Sequence, residues 1–221
     1  IVVIEGRQRY ADVNLINVTD KPHTYAIGWR FLKMVNDSGS YDNIDKPLTD
    51  FDLTQNIVYT PKRVTIDPNG LQKIRLGLRL KGEPPAPGDY RAHLELKDVG
   101  TPDTLPIVEQ PKDLPPKSSP EQKAVTVGVK VNVGFTIPVV YRVGESTATP
   151  VIGTVTTAVD KQGRPEIVIP VTKVGGETYG VLGGIKVFYQ DKMVGEVKNA
   201  NIFPEIKSRT FRIPLTVKEL S

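Results

Sequence analysis

Apolar and polar residues alternate with a period of two along most of this chain. Tyr25, Ile27, Trp29 and Phe31 interleave with Ala26, Gly28 and Arg30; Ile74, Leu76, Leu78 and Leu80 interleave with Arg75, Gly77 and Arg79. Tyr90, Ala92, Leu94 and Leu96 do the same with Arg91, His93 and Glu95, and Ile167, Ile169 and Val171 share one parity, as do Ile185 and Val187. Successive side chains of a strand project to opposite faces, so each stretch predicts a strand with one face in a core. No stretch carries a convincing helical period, so helix is expected to amount to a turn at most. Strands are predicted roughly at 1–5, 9–17, 23–34, 57–66, 71–80, 89–98 and 124–141, with a new series opening at Pro150. Seven strands is the immunoglobulin-like count. The expected architecture is all-β, with two immunoglobulin-like β-sandwich domains, 1–143 and a smaller 144–221, joined near Val143-Gly144-Glu145-Ser146. Two long loops interrupt the strands. Residues 35–56 are polar, and 99–123 hold six prolines between Pro102 and Pro120, which predicts a segment without a core of its own.

The most informative stretch is 124–142. Val125, Val127, Val129, Val131, Val133, Phe135, Ile137 and Val139 share one parity, against Thr126, Gly128, Lys130, Asn132, Gly134, Thr136 and Pro138. Such alternation outruns the usual strand of about 5–6 residues. Pro138 lacks an amide hydrogen and suits an edge or a strand end. A long valine-lined edge is a hazard that proteins normally blunt; keeping one fits pairing with an incoming chain, whose pockets take the alternate side chains. The competing reading is an inner strand covered at home. The proline-rich loop before it favours the edge.

Composition narrows the classes. The 221 residues carry a formal charge of +4 with Lys and Arg scattered along the chain, so no nucleic-acid footprint is expected. No apolar run approaches the roughly 20 residues that span a bilayer, so membrane insertion is not expected. The absence of cysteine excludes disulfides, thiolate metal sites and cysteine catalysis. Ile1 rather than Met opens the chain, which is consistent with a removed leader. Asn17-Val18-Thr19 and Asn36-Asp37-Ser38 match a glycosylation sequon, a weak pattern taken as chance.

Several motifs resemble the PapD-like periplasmic pilus chaperones, and the long loop resembles their long-loop or archaic branch. They are Asp12-Val13-Asn14-Leu15-Ile16-Asn17, Tyr59-Thr60-Pro61-Lys62-Arg63-Val64-Thr65-Ile66-Asp67-Pro68-Asn69-Gly70, Gly88-Asp89-Tyr90-Arg91-Ala92-His93-Leu94 and Ile137-Pro138-Val139-Val140-Tyr141-Arg142. The fit covers 1–143 and weakens over 146–221. The resemblance implies two sandwiches set at an angle, a periplasmic location, no cofactor and two partners. Pilus or fimbrial subunits would be held by donor-strand complementation through 124–137, and an outer-membrane usher would receive them. It also implies a basic anchor for the subunit's terminal carboxylate. The family's lysine place is Pro138 here, and its arginine place falls at Ile1 or before it, so Arg91 is the preferred substitute and Lys130 the second. A solvated, sheet-face Arg91 is the plainer alternative. Asp89 and Arg142 are expected to pair at the domain joint. Self-association through the valine edge is a further possibility of this fold.

Catalysis finds little support. His23 and His93 are the only histidines, and neither has metal-ligand or triad spacing, so no catalytic or metal residue is assigned. Gly175-Gly176-Glu177-Thr178-Tyr179-Gly180 and Gly183-Gly184 lack the GK[ST] of a phosphate loop and read as hairpin turns. The alternative function is a tandem immunoglobulin-like surface or adhesion module, which shares the fold and lacks the lent strand.

Overall fold

The computed structural model describes residues 1–35, 37–80, 82–83, 85–100 and 134–215. Its regular structure is strand apart from one turn of 3-10 helix at Thr49–Phe51. Before Gly144 lie β1 (Val2–Glu5), β2 (Tyr10–Ile16), β3 (His23–Arg30), β4 (Leu32–Met34), β5 (Tyr41–Asn43), β6 (Ile57–Thr60), β7 (Arg63–Ile66), β8 (Leu71–Leu78), β9 (Gly88–Asp98) and β10 (Gly134–Val143). After it come β11 (Thr149–Ile152), β12 (Thr156–Val159), β13 (Pro165–Val174), β14 (Ile185–Tyr189), β15 (Lys192–Val197) and β16 (Ser208–Pro214). Among the described residues no helix is long and apolar enough to cross a membrane.

The first ten strands form a sandwich. A five-stranded sheet, β1-β10-β9-β3-β7, faces a three-stranded one, β2-β8-β6. Between them the apolar parities meet: Ile4, Val13, Ile27, Ile74, Leu76, Leu94 and Val139 are buried in one cluster. Each such side chain contributes about 1.5–3 kcal/mol by leaving water. Asn17 is wholly buried beside this core; its amide nitrogen donates to Lys21 O at 2.7 Å and Ile66 O at 2.9 Å. That sequon is a turn fastener with no free amide.

Three departures from the sequence reading have local causes. The expected strand 57–66 is two strands in opposite sheets, β6 on β8 and β7 on β3. Pro61 stands between them and has no amide hydrogen with which to continue a ladder. The expected strand 23–34 breaks at Phe31, and β4 leaves to pair with β5. The polar stretch 35–56 therefore holds a short strand, the 3-10 turn and Leu53, wholly buried in the first core. A single apolar residue among polar ones leaves no periodic signal.

The second sandwich sets β13 at its centre. Residues Glu166–Thr172 of β13 pair with β16, so β11 and β12, which pair with Val171–Val174 and Pro165–Val168, lie end to end on its other side. The β14–β15 hairpin covers one face through Ile185, Val187 and Val197, over Ile169, Val171, Phe211 and Ile213. This core also receives Met34 and Val140 from the first ten strands. The glycines 175 and 176 do not form a hairpin turn as expected. Both have positive φ, and a Cβ at Gly176 would sit 2.6 Å from Ala148 N, so they let this loop run against the segment that follows β10.

Candidate functional site: the open half of β10 and the joint beside it

β10 has two neighbours over only half its length. β9 pairs with it from Gly134↔Lys97 to Val143↔Gly88, whereas β1 pairs in parallel only from Val2↔Val139 to Glu5↔Arg142. Among the described residues nothing pairs with the outer edge of Gly134–Pro138. Phe135 stands there 58% exposed, opposite the buried Leu96. Ile137, of the same parity, is partly buried and packs against the first core. Val125, Val127, Val129, Val131, Val133 and Lys130 lie outside the described residues.

Further along β10 the parities split between the two cores. Val139 belongs to the first and Val140 to the second, and both are fully buried. Arg142 follows and meets Asp89 in a two-bond fork, Nε to Oδ1 and Nη2 to Oδ2, each 2.7 Å. Asp89 is buried; its Oδ2 also accepts from Gly180 N at 2.8 Å, while Arg142 Nη2 donates to Gly180 O at 3.1 Å. The hydrogen-bonded carboxylate raises the Arg142 pKa further, against the opposing effect of burial. Asp89 N donates to Thr178 O at 2.9 Å and Tyr179 Oη to Val143 O at 2.8 Å. Gly144 has φ +79°, and a Cβ there would lie 2.8 Å from Tyr179 Oη; a side chain at this position would push the two sandwiches apart.

Arg91 occupies a different place from the one its sequence position suggests. It lies opposite the apolar parity of β9, but that face of the strand is covered by the second sandwich. Its side chain is 2% exposed and pairs with Glu205, itself 5% exposed. Arg91 Nε donates to Glu205 Oε2 at 3.2 Å and Nη2 to Leu32 O at 2.8 Å, and the guanidinium lies 4.5 Å from the Phe203 ring centroid. Glu205 Oε1 accepts from Arg91 Nη2 and also from Met34 N at 3.1 Å. The guanidinium is therefore neither solvated nor open to a partner's carboxylate. Spacing alone could not reveal this, because Glu205 is 114 positions away. Its one local signal is an acidic residue set among Ile202, Phe203 and Ile206, all buried. Lys173, also missed, closes the same joint: its Nζ donates to Tyr179 O at 2.8 Å and Pro204 O at 3.1 Å, and burial lowers its pKa.

His93 lies on this buried face too, 1% exposed, with Nε2 unpartnered and the Tyr41 and Phe203 rings edge-on to it. Burial first, then the charges of Arg91 and Arg30, lower its pKa to about 3. The unfolded chain binds this proton near the ordinary 6.5. Stability is therefore full above that pH and falls as pH drops from 6.5 towards 3, by at most about 1.4 kcal/mol per unit. Thermal melts of wild type and His93→Gln between pH 7 and 4 should show a flatter dependence in the variant; parallel curves would place the protonation elsewhere. His23, the other histidine, sits apart, its Nδ1 at 2.5 Å from Asp98. Among the described residues no group of three or more acidic or histidine side chains could hold a metal.

No family model matches the sequence, and no curated protein matches it. Similar folds do occur among solved structures. The CupB2 chaperone of Pseudomonas aeruginosa is 12% identical, with 97% of this chain and 84% of that one covered and a TM-score of 0.45. The E. coli chaperone DraB is 14% identical, with 97% and 83% covered and a TM-score of 0.44. A chain of the CsuC–CsuE chaperone–tip adhesion subunit pre-assembly complex, from the archaic chaperone-usher Csu pili of Acinetobacter baumannii, is 12% identical, with 97% and 84% covered and a TM-score of 0.46. Each of these likenesses is one of fold and extends over most of this chain.

Proposed function

We propose that this chain is a periplasmic chaperone of pilus subunits, which it holds by lending the edge of 124–137 and delivers to an outer-membrane usher, without catalysis. The observation that carries the reading is the open half-edge of β10. Among the described residues Gly134–Pro138 has one strand neighbour; it bears the exposed Phe135 and continues the alternating valine row of the sequence. An immunoglobulin-like fold that lacks a strand would supply the missing partner: its backbone completes the ladder and its groove takes the alternate side chains. Burial of apolar area drives capture at roughly 25 cal/mol per Å², so no nucleotide is required.

On this reading the chain divides into a subunit-holding domain, 1–143, and a second domain, 144–221. The Asp89–Arg142 fork, through its two hydrogen bonds with Gly180, and the Arg91–Glu205 pair hold the two against each other. With Arg91 held by Glu205, a subunit's terminal carboxylate reaches it only by displacing that residue. Lys130, the second proposed anchor, lies outside the described residues.

The test is co-expression with a pilus subunit of the same organism. The expected result is soluble subunit recovered in a complex with this chain and degraded without it. Equal recovery with and without the chain would overturn the reading in favour of a surface module.

A further inference from the structure

The outer face of the three-stranded sheet β2-β8-β6 carries a charge pattern that neither the first core nor β10 uses. Along β8, Lys73 and Arg75 are exposed on the parity opposite the buried Ile74 and Leu76. Arg79 continues that parity, exposed, and its N donates to Asn56 O at 2.7 Å, so the sheet runs on past Leu78. Arg9 O accepts from Leu78 N at 2.8 Å, which brings the exposed Arg9 to the same end. Against these cations the three strands hold a single carboxylate, Asp12. It accepts from Arg75 Nε at 2.9 Å and Nη2 at 3.1 Å and lies 3.5 Å from Lys73 Nζ. Arg9 and Arg79 have no ion-pair partner among the described residues.

Gly77 stands between Arg75 and Arg79 on this face. It pairs with Tyr10 on one side and Val58 on the other, which are 57% and 49% exposed. A Cβ at Gly77 would meet only Val58 Cγ2, at 3.8 Å. The three residues therefore form an open notch with an apolar wall on either side. Arg75 lies at one end of it, with its guanidinium 4.6 Å from the Tyr10 ring centroid. The Asp12 fork and the ring hold that guanidinium in place and leave its Nη1 for a partner.

We propose that this face docks an acidic, extended segment of a partner protein. The segment lies along β8, with an aromatic or large aliphatic side chain in the Gly77 notch and carboxylates two residues to either side, on Arg75 and Arg79. An extended chain repeats its side chains at the spacing of β8 itself, so cation, notch and cation on the sheet match acid, apolar and acid on the segment. The excess of cations sets the sign of the partner. The fixed Arg75 lowers the ordering cost of binding. A notch framed at single-residue spacing selects a side-chain sequence, which a lipid surface does not offer. The face lies on the sheet opposite the one that holds β10, so this docking is independent of the lent strand.

Fluorescence anisotropy on the full chain tests it, with a labelled peptide that repeats Glu-Ser-Phe-Ser as the probe. The peptide should bind saturably, and more weakly as salt rises. Arg79→Glu should weaken binding by about tenfold or more. Lys186→Glu makes the same charge change at an exposed site on β14 and should leave binding unchanged. Gly77→Val fills the notch where there is room for a side chain, so the melt should hold while the peptide loses about tenfold in affinity. A peptide repeating Glu-Ser-Ser-Ser should be indifferent to that variant. If Gly77→Val melts early, Tyr10→Ser with Val58→Ser removes the walls at exposed sites and should bring the same loss. Absent binding, an equal loss with Lys186→Glu, or a notch whose filling or removal changes nothing would each overturn the proposal. Sedimentation with vesicles of phosphatidylserine and phosphatidylcholine is the second arm. Vesicle binding that Arg79→Glu abolishes, without peptide binding, would assign the face to lipid and overturn it as well.

Discussion

Arg91→Ala is expected to lower the unfolding free energy by about 3–5 kcal/mol, because removing one member of a buried ion pair strands the other without a counter-charge. Glu205 would keep only Met34 N as a donor at 3.1 Å, and the carbonyl of Leu32 would lose the guanidinium at 2.8 Å. In a chain of this size each kcal/mol shifts the midpoint by about 2–4 °C, so the melt should fall by roughly 6–20 °C. Glu205→Ala should do comparable damage from the other side. Arg91→Met combined with Glu205→Leu should recover much of the loss, since an apolar pair of similar volume avoids desolvating two charges. Thermal melts of the four proteins decide it. Single variants that melt with wild type would mean that the pair contributes nothing to the joint. The same variants qualify any binding assay: loss of subunit capture by Arg91→Ala would report a loosened joint before it reported a lost anchor.

What the sequence made legible follows from which interactions leave a periodic trace. Half-buried strands do, and the parities of Tyr25–Ile27, Ile74–Leu76 and Ala92–Leu96 point into the first core. The Asp89–Arg142 pair was implied by the family resemblance and not by any spacing rule; in the structure its members lie on adjacent strands in register, Arg142↔Asp89. The burial of Arg91 and His93 was not reachable. Alternation in β9 marks the face turned to its own sandwich and is silent about a second body that covers the other face. Val140 and Met34, which belong to the second core, were hidden in the same way. The β6–β7 switch turned on one proline whose missing donor reads equally well as a strand end. Glu205 was missed because charge pairing across 114 residues has no spacing rule.

Phe135→Asp and Val131→Asp are expected to abolish subunit capture while leaving the fold intact. On the proposed reading, the row that runs from Val125 to Phe135 enters an apolar groove, where a carboxylate without a partner costs several kcal/mol. Each 1.4 kcal/mol is a factor of ten in affinity, so the loss should be about a hundredfold or more. Phe135 makes the cleaner case. It is 58% exposed and lies past the end of β1, so an aspartate there stays hydrated in the free protein and the melt should stay within a few degrees of wild type. Phe135→Leu keeps the apolar contact and should keep capture. Ile137→Asp, two residues on, should instead unfold the first sandwich, because that side chain packs in its core. The paired measurement is a pull-down of co-expressed subunit and a thermal melt for each variant. Intact capture by both aspartate variants would remove the lent strand from the mechanism. If Val131→Asp unfolded the protein, it would return that valine to the home core and leave Phe135 as the outer limit of what β10 can offer a partner.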